Sequence, residues 1–288
     1  MNRLIVNADD FGLTAGVNRA IIELHRAGVL TSTTLMAKAT ATEEAIELAH
    51  ANPTLGVGCH VVLVDGDPVL SPDRIPTLVD EKTGQFPIKL GEFLMRLFTG
   101  RIRTAEIEAE AAAQIALLQN RGLRLTHIDT HKHTHMFPPV LRAVLRAATA
   151  AGIHAVRNPF EPEWAVRATP RASLMRTGEV VLLRRLGPFF RKLIVNENVV
   201  TSDGTIAVVG TGSLDDDAVR SLLKQLPPGT WELVTHPGYN DADLGGVRTR
   251  LRESREIERK ALHVVKEFAT VELISFAGLD AAPATINH

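Results

Sequence analysis

The feature that most constrains the fold of this chain is a repeated alternation of strand-like and helix-like segments. The apolar run Leu4 to Val6 is followed by a polar turn and then by Val17, Ile21 and Leu24 at helical spacing. About seven or eight such repeats follow one another, which predicts a parallel sheet covered by helices. This number favours a closed or nearly closed barrel over an open sheet. We therefore predict an α/β protein with a distorted TIM-like barrel.

Capping residues indicate where several helices begin and end. Thr40 with Glu43 forms a capping box ahead of a helix through Ala51. Thr104 is the expected cap of a long helical segment that stops at Gly122. Residues 65 to 90 are rich in Pro, Gly and Asp without periodicity, which predicts a long loop over the site.

Composition places the chain among ordinary globular proteins. Its 288 residues suit one barrel domain over 1–288, and the hydrophobic content of 45% can supply a large core. The formal net charge of −1 gives no support for a nucleic-acid partner. The single cysteine, Cys59, excludes an intramolecular disulfide, and the amino-terminal sequence lacks a signal-peptide pattern. We expect a cytoplasmic protein, and a homodimer is compatible with the sequence.

A basic segment interrupts the alternation at about 161–198, where we predict a helical insertion. Its cationic side chains are interspersed with Leu, Val and Phe: Arg167, Arg171, Arg176, Arg184, Arg185, Arg191 and Lys192. Charge runs of this kind usually belong to a solvated surface. The other interpretation is an amphipathic surface that touches an anionic membrane, at its inner face, or a lipid-linked substrate. Both interpretations stay open at the level of the sequence.

The segment from Thr126 to His135, THIDTHKHTH, carries an imidazole or carboxylate group at every second position. In a β-strand the following side chains would share one face: His127, Asp129, His131, His133 and His135. Such a face is not a hydrophobic core, because buried polar groups need partners. We predict that at least one member binds a metal and that most of the others hold and tune the ligands. His131 is the expected ligand, since the chain must leave the strand just after it.

Three more polar groups stand at predicted strand ends: the pair Asp9 and Asp10, then His60, and then His236. In an α/β barrel these ends meet on one face, where active sites are built. One aspartate and two histidines with open positions for water and substrate are typical of a hydrolytic metal site. Asp10, His60 and His131 are the predicted ligands of one divalent ion. Asp9 would accept a proton from water, and His236 would donate one to a departing amine.

These motifs resemble the YdjC-like carbohydrate deacetylases. The resemblance rests on five segments in the same order: NADDFG at 7–12, TSTTLM at 31–36, GCHVVL at 58–63, THIDTHKHTHMFP at 126–138 and THPG at 235–238. It implies a distorted TIM-like barrel that removes N-acetyl groups from amino sugars, including chitooligosaccharides, with a divalent metal. No motif of the resemblance covers the basic segment.

The resemblance also implies roles for particular residues. Asp10, His60 and His131 match the metal ligands, Asp9 the base and His236 the acid. Arg157, in AVRNP, stands where the family also has an arginine, which implies a place near the substrate. The sequence does not decide between zinc and magnesium as the metal. Two imidazoles favour zinc or a similar ion, whereas the resemblance also allows magnesium.

The long loop after His60 resembles that of the hopanoid-biosynthesis-associated branch, which implies an N-acetylglucosaminyl lipid as substrate. Two other functions stay open. One is a metal-dependent hydrolase of a phosphoester or a cyclic amide, which would predict two bridged metals and more carboxylate ligands. The other is a sugar-binding or metal-binding homologue without catalytic activity.

Overall fold

A parallel β-sheet forms the centre of the protein, whose computed structural model describes residues 2–279. The ends of the predicted 1–288 domain lie outside the described residues. The seven described strands, β1 to β7, are Asn2–Phe11, Ser32–Leu35, Gly56–Val61, Ile128–Thr130, Gly204–Ile206, Gly229–Thr235 and Val271–Leu273. All strand pairs are parallel, in the order β4-β3-β2-β1-β6-β5, and β7 pairs with the beginning of β1. The prediction of an α/β protein with a parallel sheet is confirmed.

The sheet curls into a half-barrel, which fits the predicted distorted barrel. Residues 155 and 156 form isolated bridges, from Val156 to Ile128 and from Ala155 to Val200. The hydroxyl of Thr205, in β5, donates to the carbonyl of Asn158 at 2.6 Å. Residues 155–158 therefore connect the β4 and β5 edges of the curled sheet.

Helices cover the outside of this sheet. The helices α1 to α11 are Ala15–Arg26, Thr42–Ala51, Leu90–Phe98, Thr104–Asn120, Pro138–Ala150, Glu163–Ala168, Leu174–Leu183, Gly187–Asn196, Asp216–Lys224, Ala242–Gly246 and Glu253–Ala261. Short 3₁₀ segments lie at 131–136, 184–186, 262–267 and 276–278. No helix in the described part of the chain is long and apolar enough to cross a membrane.

The central strand β1 shows why the fold is stable. Its residues from Leu4 to Phe11 are all buried, because helices pack on one side and the curled sheet closes on the other. Removing one Leu or Ile side chain of this kind from water contributes about 1.5–3 kcal/mol. The core therefore fixes β1 in place, and with it the polar residues near its carboxyl end.

Both predicted amino-terminal helix caps were wrong, whereas α4 stops before Gly122 as predicted. Helix α2 begins at Thr42, whose hydroxyl accepts from Ala39 N–H and donates to the Met36 carbonyl, both at 2.9 Å. These bonds place Thr42, and not Thr40, at the start of the helix. Helix α4 already includes Thr104, so that Arg103 precedes the helix and no side chain caps it.

Candidate active site

The predicted acidic and histidine site residues lie at the carboxyl ends of four strands of the sheet. Asp9 and Asp10 lie near the end of β1, His60 lies in β3, and His131 and His236 directly follow β4 and β6. These strands belong to one parallel sheet, which brings the side chains to one edge of it.

A β-bulge directs the two aspartates of β1. Ala8 pairs with Thr33 and Phe11 with Leu35, so that one additional residue is accommodated between the two pairs. Asp10 has a φ of 65°, which costs a non-glycine residue about 1–3 kcal/mol. The bulge lets the adjacent carboxylates reach different histidines: Asp9 faces His236, and Asp10 faces His60 and His131.

Asp10, His60 and His131 bring three ligand atoms together. Asp10 Oδ1 lies 3.6 Å from His60 Nε2 and 3.4 Å from His131 Nδ1, and the two nitrogens are 3.2 Å apart. A tetrahedral ion with bonds of about 2.1 Å separates neighbouring ligand atoms by about 3.4 Å. The three side chains therefore could hold one metal ion, and His131 is only partly buried, so that one side of the group stays open.

A hydrogen bond to Asp129 fixes the orientation of the His60 imidazole. Its Nδ1–H donates to Asp129 Oδ1 at 2.7 Å, which leaves Nε2 to face Asp10 and His131. A carboxylate behind a ligating histidine is the arrangement that orients metal-binding imidazoles in proteins. Burial lowers the pKa of His60, but Asp129 more than offsets this, and the pKa is raised to about 9.

Asp9 is held by a buried guanidinium. Arg157 donates to Asp9 Oδ2 at 2.9 Å and to Asp9 Oδ1 at 2.6 Å, and Asn7 Nδ2 donates to Oδ1 at 3.1 Å. Burial raises the pKa of Asp9, but the charge and hydrogen bonds of Arg157, together with the nearby His60 and His236, outweigh burial and hold this pKa well below its usual range. Asp9 is therefore ionised at neutral pH.

Arg157 itself has no exposed surface. Its guanidinium also pairs with Asp129 and, at 2.7 Å, with Glu232. The guanidinium is enclosed by three carboxylates and lies behind Asp9, and the place near the substrate that the resemblance implies for Arg157 stays a prediction.

A second group of potential ligands consists of Asp9, His60 and Asp129. Arg157 binds both of its carboxylates, and the guanidinium supplies the positive charge that they need. This group is therefore filled by a side chain, whereas in the group of Asp10, His60 and His131 the guanidinium of Arg255 binds Asp10 Oδ2 and leaves Oδ1 facing the two histidines.

The predicted alternation of five polar side chains on one strand face was wrong. Strand β4 ends at Thr130, and Lys132 and His133 adopt left-handed φ values of 56° and 51°. The chain therefore turns immediately after His131, and the remaining histidines reach different surroundings.

Two of those histidines are structural. His127 stacks on Phe276 with ring centroids 3.8 Å apart, and His135 Nδ1 lies 2.8 Å from the hydroxyl of Thr130. Burial lowers the pKa of both imidazoles well below the ordinary value, so both are neutral. Among the described residues, His133 Nδ1 has no hydrogen-bond partner.

His236 completes the site. Its Nε2 lies 3.8 Å from Asp9 Oδ2, and its backbone N–H donates to Glu258 Oε2 at 2.6 Å. Its Nδ1 is buried and has no hydrogen-bond partner in the described part of the chain. The imidazole therefore lies beside the same oxygen of Asp9 that accepts from Arg157.

Sequence reasoning missed three buried charges around the site. Arg255, from α11, donates to Asp10 Oδ2 at 2.5 Å, Glu258 supports His236, and Glu232 pairs with Arg157. The only signal was a charged residue inside the apolar strand WELVT of β6. Arg255 and Glu258 lie in a helix rich in charges, where nothing distinguished them.

The fold and the site together define a class of protein: curled parallel α/β proteins with a cluster of aspartates and histidines at the carboxyl edge of the sheet. The family described as YdjC-like protein matches residues 3–271, and the chain belongs to this family.

Proteins with similar sequences include two carbohydrate deacetylases. That of Thermoanaerobacter pseudethanolicus is 32% identical over 262 residues, which are 91% of either chain. That of Geobacillus stearothermophilus is 36% identical and covers 83% of this chain and 81% of its own. A proposed cellobiose-phosphate cleavage protein from Enterococcus faecalis shares the fold with a TM-score of 0.73 and 27% identity, covering 96% and 98% of the two chains. A lactam utilization protein from Thermus thermophilus, at 15% identity and a TM-score of 0.51 over 95% and 99% of the two chains, supports the fold alone.

Proposed function

We propose that this protein is a metal-dependent carbohydrate deacetylase that removes the N-acetyl group of an amino sugar. The observation that carries the proposal is the convergence of Asp10, His60 and His131 beside the ionised Asp9 and the imidazole of His236. The relatives described as carbohydrate deacetylases support the substrate class.

Asp10, His60 and His131 would hold the metal. Two imidazole nitrogens and one carboxylate oxygen favour zinc or a similar transition ion, and magnesium is the alternative. Such an ion would supply Lewis acidity toward the acetyl carbonyl. Asp129 keeps His60 Nε2 directed at this position, and Arg255 holds the other oxygen of Asp10.

Asp9 is the proposed base. Water adds to the acetyl carbon while the carboxylate of Asp9 accepts the proton that the water loses. Arg157 keeps Asp9 ionised and fixes both oxygens, and it shares its charge with Asp129 and Glu232. Arg157 is thus a positioning residue.

His236 is the proposed acid. When the carbon–nitrogen bond breaks, the nitrogen needs a proton, because an amide anion is too poor a leaving group. His236 Nε2 lies 3.8 Å from Asp9 Oδ2, so that one acetyl group beside them can face both side chains. The products are acetate and the free amino sugar.

Two substrates fit the proposal: an N-acetylated chitooligosaccharide and an N-acetylglucosaminyl hopanoid lipid. The lipid is suggested by the resemblance of the loop after His60 to the hopanoid-associated branch, and the basic segment is compatible with it. Amine and acetate release from N-acetylated oligosaccharides and glycolipids, measured together with bound metal, tests both. Release from none of them, with metal bound, would contradict the proposed activity.

Two other functions are less well supported. A two-metal hydrolase of phosphoesters or cyclic amides needs more carboxylate ligands, and Arg157 fills the second group of Asp9, His60 and Asp129. A sugar-binding homologue without activity needs neither the base nor the acid. Replacing Asp9 with Asn distinguishes it, since the proposed enzyme should lose turnover while a binding protein should be unaffected.

A further inference from the structure

Helix α7 is exposed to solvent although most of its side chains are apolar. Its sequence, LMRTGEVVLL, is mostly apolar, yet none of its residues is buried. Leu174 and Met175 are 90% and 77% exposed, respectively. A surface helix normally turns its apolar stripe toward the core.

The exposed apolar residues of α7 share one face. At 3.6 residues per turn, Leu174, Met175, Val181 and Leu182 fall within about a third of the circumference. All four are exposed, whereas Arg176 and Thr177, on the other side, are half-buried. The helix is therefore apolar on its solvent side as well as on its inner side, where Leu183 packs against the core. Such a patch on a protein surface typically marks an interaction site.

The segment that follows α7 adds exposed cations. Phe189 of α8 is exposed, as are Arg185 in the 3₁₀ segment 184–186 and Arg191 and Lys192 of α8. Within the described residues, these three cations form no ion pair, whereas Arg167 pairs with Glu163 and Arg171 with Asp215. Part of the basic segment is thus neutralised by the protein, and the part beside the apolar residues is not.

The first turn of α7 lies at the same edge of the sheet as the candidate active site. Arg176 donates to the carbonyl of Thr211, and Arg171 Nη1 lies 3.1 Å from Asp215 Oδ2. Residues 207–215 directly follow the carboxyl end of β5, and the amide of Gly212 lies 3.4 Å from Glu258, which supports His236.

We propose that the α7–α8 patch, consisting of Leu174, Met175, Val181, Leu182, Arg185, Phe189, Arg191 and Lys192, docks on an anionic phospholipid bilayer. The apolar side chains would enter the interface, and the unpaired cations would lie at the headgroups. Charge decides between this occupant and a second copy. A two-fold dimer through this patch would bring like charges together, whereas an anionic surface complements them. The proposal goes beyond the proposed reaction and does not depend on it.

Vesicle co-sedimentation of the full chain tests the docking. We expect binding to vesicles that contain phosphatidylglycerol and weak binding to pure phosphatidylcholine. Arg185→Gln and Lys192→Gln should each weaken binding about fivefold, the factor for one cation near an anionic surface. Leu174→Glu should abolish binding, and the exposure of Leu174 makes the substitution compatible with folding.

Matched controls lie outside the patch, in the last helical segments before β7. Lys266→Gln and Ile257→Glu change an exposed cation and an exposed apolar residue, and should leave vesicle binding unchanged. Absence of binding to both vesicle types overturns the proposal. So does binding that Leu174→Glu and Arg185→Gln leave intact. A dimer that Leu174→Glu dissociates, without any vesicle binding, would assign the patch to a second copy and also overturn it.

Discussion

At the scale of single residues, Asp10 shows that the two oxygens of one carboxylate can have different partners and different functions. Arg255 binds Oδ2, which leaves Oδ1 between His60 and His131. Burial raises the pKa of Asp10, yet Arg255 and the two histidines lower it well below the usual range. Asp10 is therefore an anion at neutral pH, as a metal ligand must be.

His131→Ala tests the ligand set. The imidazole is partly exposed, so its loss should leave the fold intact while removing bound metal and activity. Metal content and circular dichroism measure both effects. His263→Ala, at an exposed position far along the chain, serves as the control and should retain metal. Full metal occupancy in the His131 variant would refute the assignment.

His236→Ala tests the proposed acid. General acid–base catalysis typically contributes about 10²–10⁴ in rate, and turnover should fall by that factor. Bound metal should stay at the wild-type level, because His236 is not among the converging ligands. Wild-type turnover in this variant would show that another group protonates the amine.

Glu161 makes stability depend on pH. It is buried, accepts from Val209 N–H at 2.7 Å, and its Oε1 has no partner among the described residues. Burial raises its pKa to about 7 from 4.5, so its contribution to stability is complete below 4.5 and lost as pH rises through 7. Glu161→Gln should therefore stabilise the protein by about 3 kcal/mol at pH 8 and by little near pH 4.5. Urea unfolding at both pH values measures this, and an equal effect at both would contradict it.

At the scale of elements, the long loop before α3 is a packed structure. As predicted, residues 65–89 form neither helix nor strand, but Ile75, Leu78 and Phe86 are buried. Helix α4 holds the loop through side chains: Glu110 accepts from the amides of Val69 at 2.8 Å and Leu70 at 3.0 Å. Val69 and Leu70, in the first half of the loop, thus anchor the loop to α4.

Glu110→Ala should loosen this loop. Two backbone amides would lose their acceptor, and each unsatisfied buried group costs about 1–3 kcal/mol. Hydrogen–deuterium exchange at residues 65–75 should become faster, while exchange in β1 should not change. Glu108→Ala, a more exposed neighbour in the same helix, is the matched control. Equal exchange in the two variants would mean that Glu110 does not anchor the loop.

At the scale of the whole molecule, the curled parallel sheet brings together residues that are far apart in sequence. Arg255 and Asp10 bond to each other across 245 positions, and the last helix before β7 supplies the groups behind both Asp10 and His236. The family match over residues 3–271 includes the strands and helices that supply these groups. The site therefore depends on both ends of the described chain.

The sequence alone determined the parallel α/β architecture and the positions of Asp9, Asp10, His60, His131 and His236. Alternating periodicity and polar residues after apolar runs are local features, and the carboxyl ends of parallel strands necessarily share one edge. The separate environments of the five polar side chains at 127–135 depended on tertiary structure, because the left-handed turn at Lys132 and His133 breaks the strand period.

Only the tertiary structure decided which charges meet. The enclosure of Arg157 by Asp9, Asp129 and Glu232, and the pairing of Arg255 with Asp10, join elements with no common sequence pattern. Likewise, the sequence of α7 shows apolar residues but not that they face solvent. The physical reason is that burial and ion pairing are properties of the space between elements, whereas periodicity describes one element at a time.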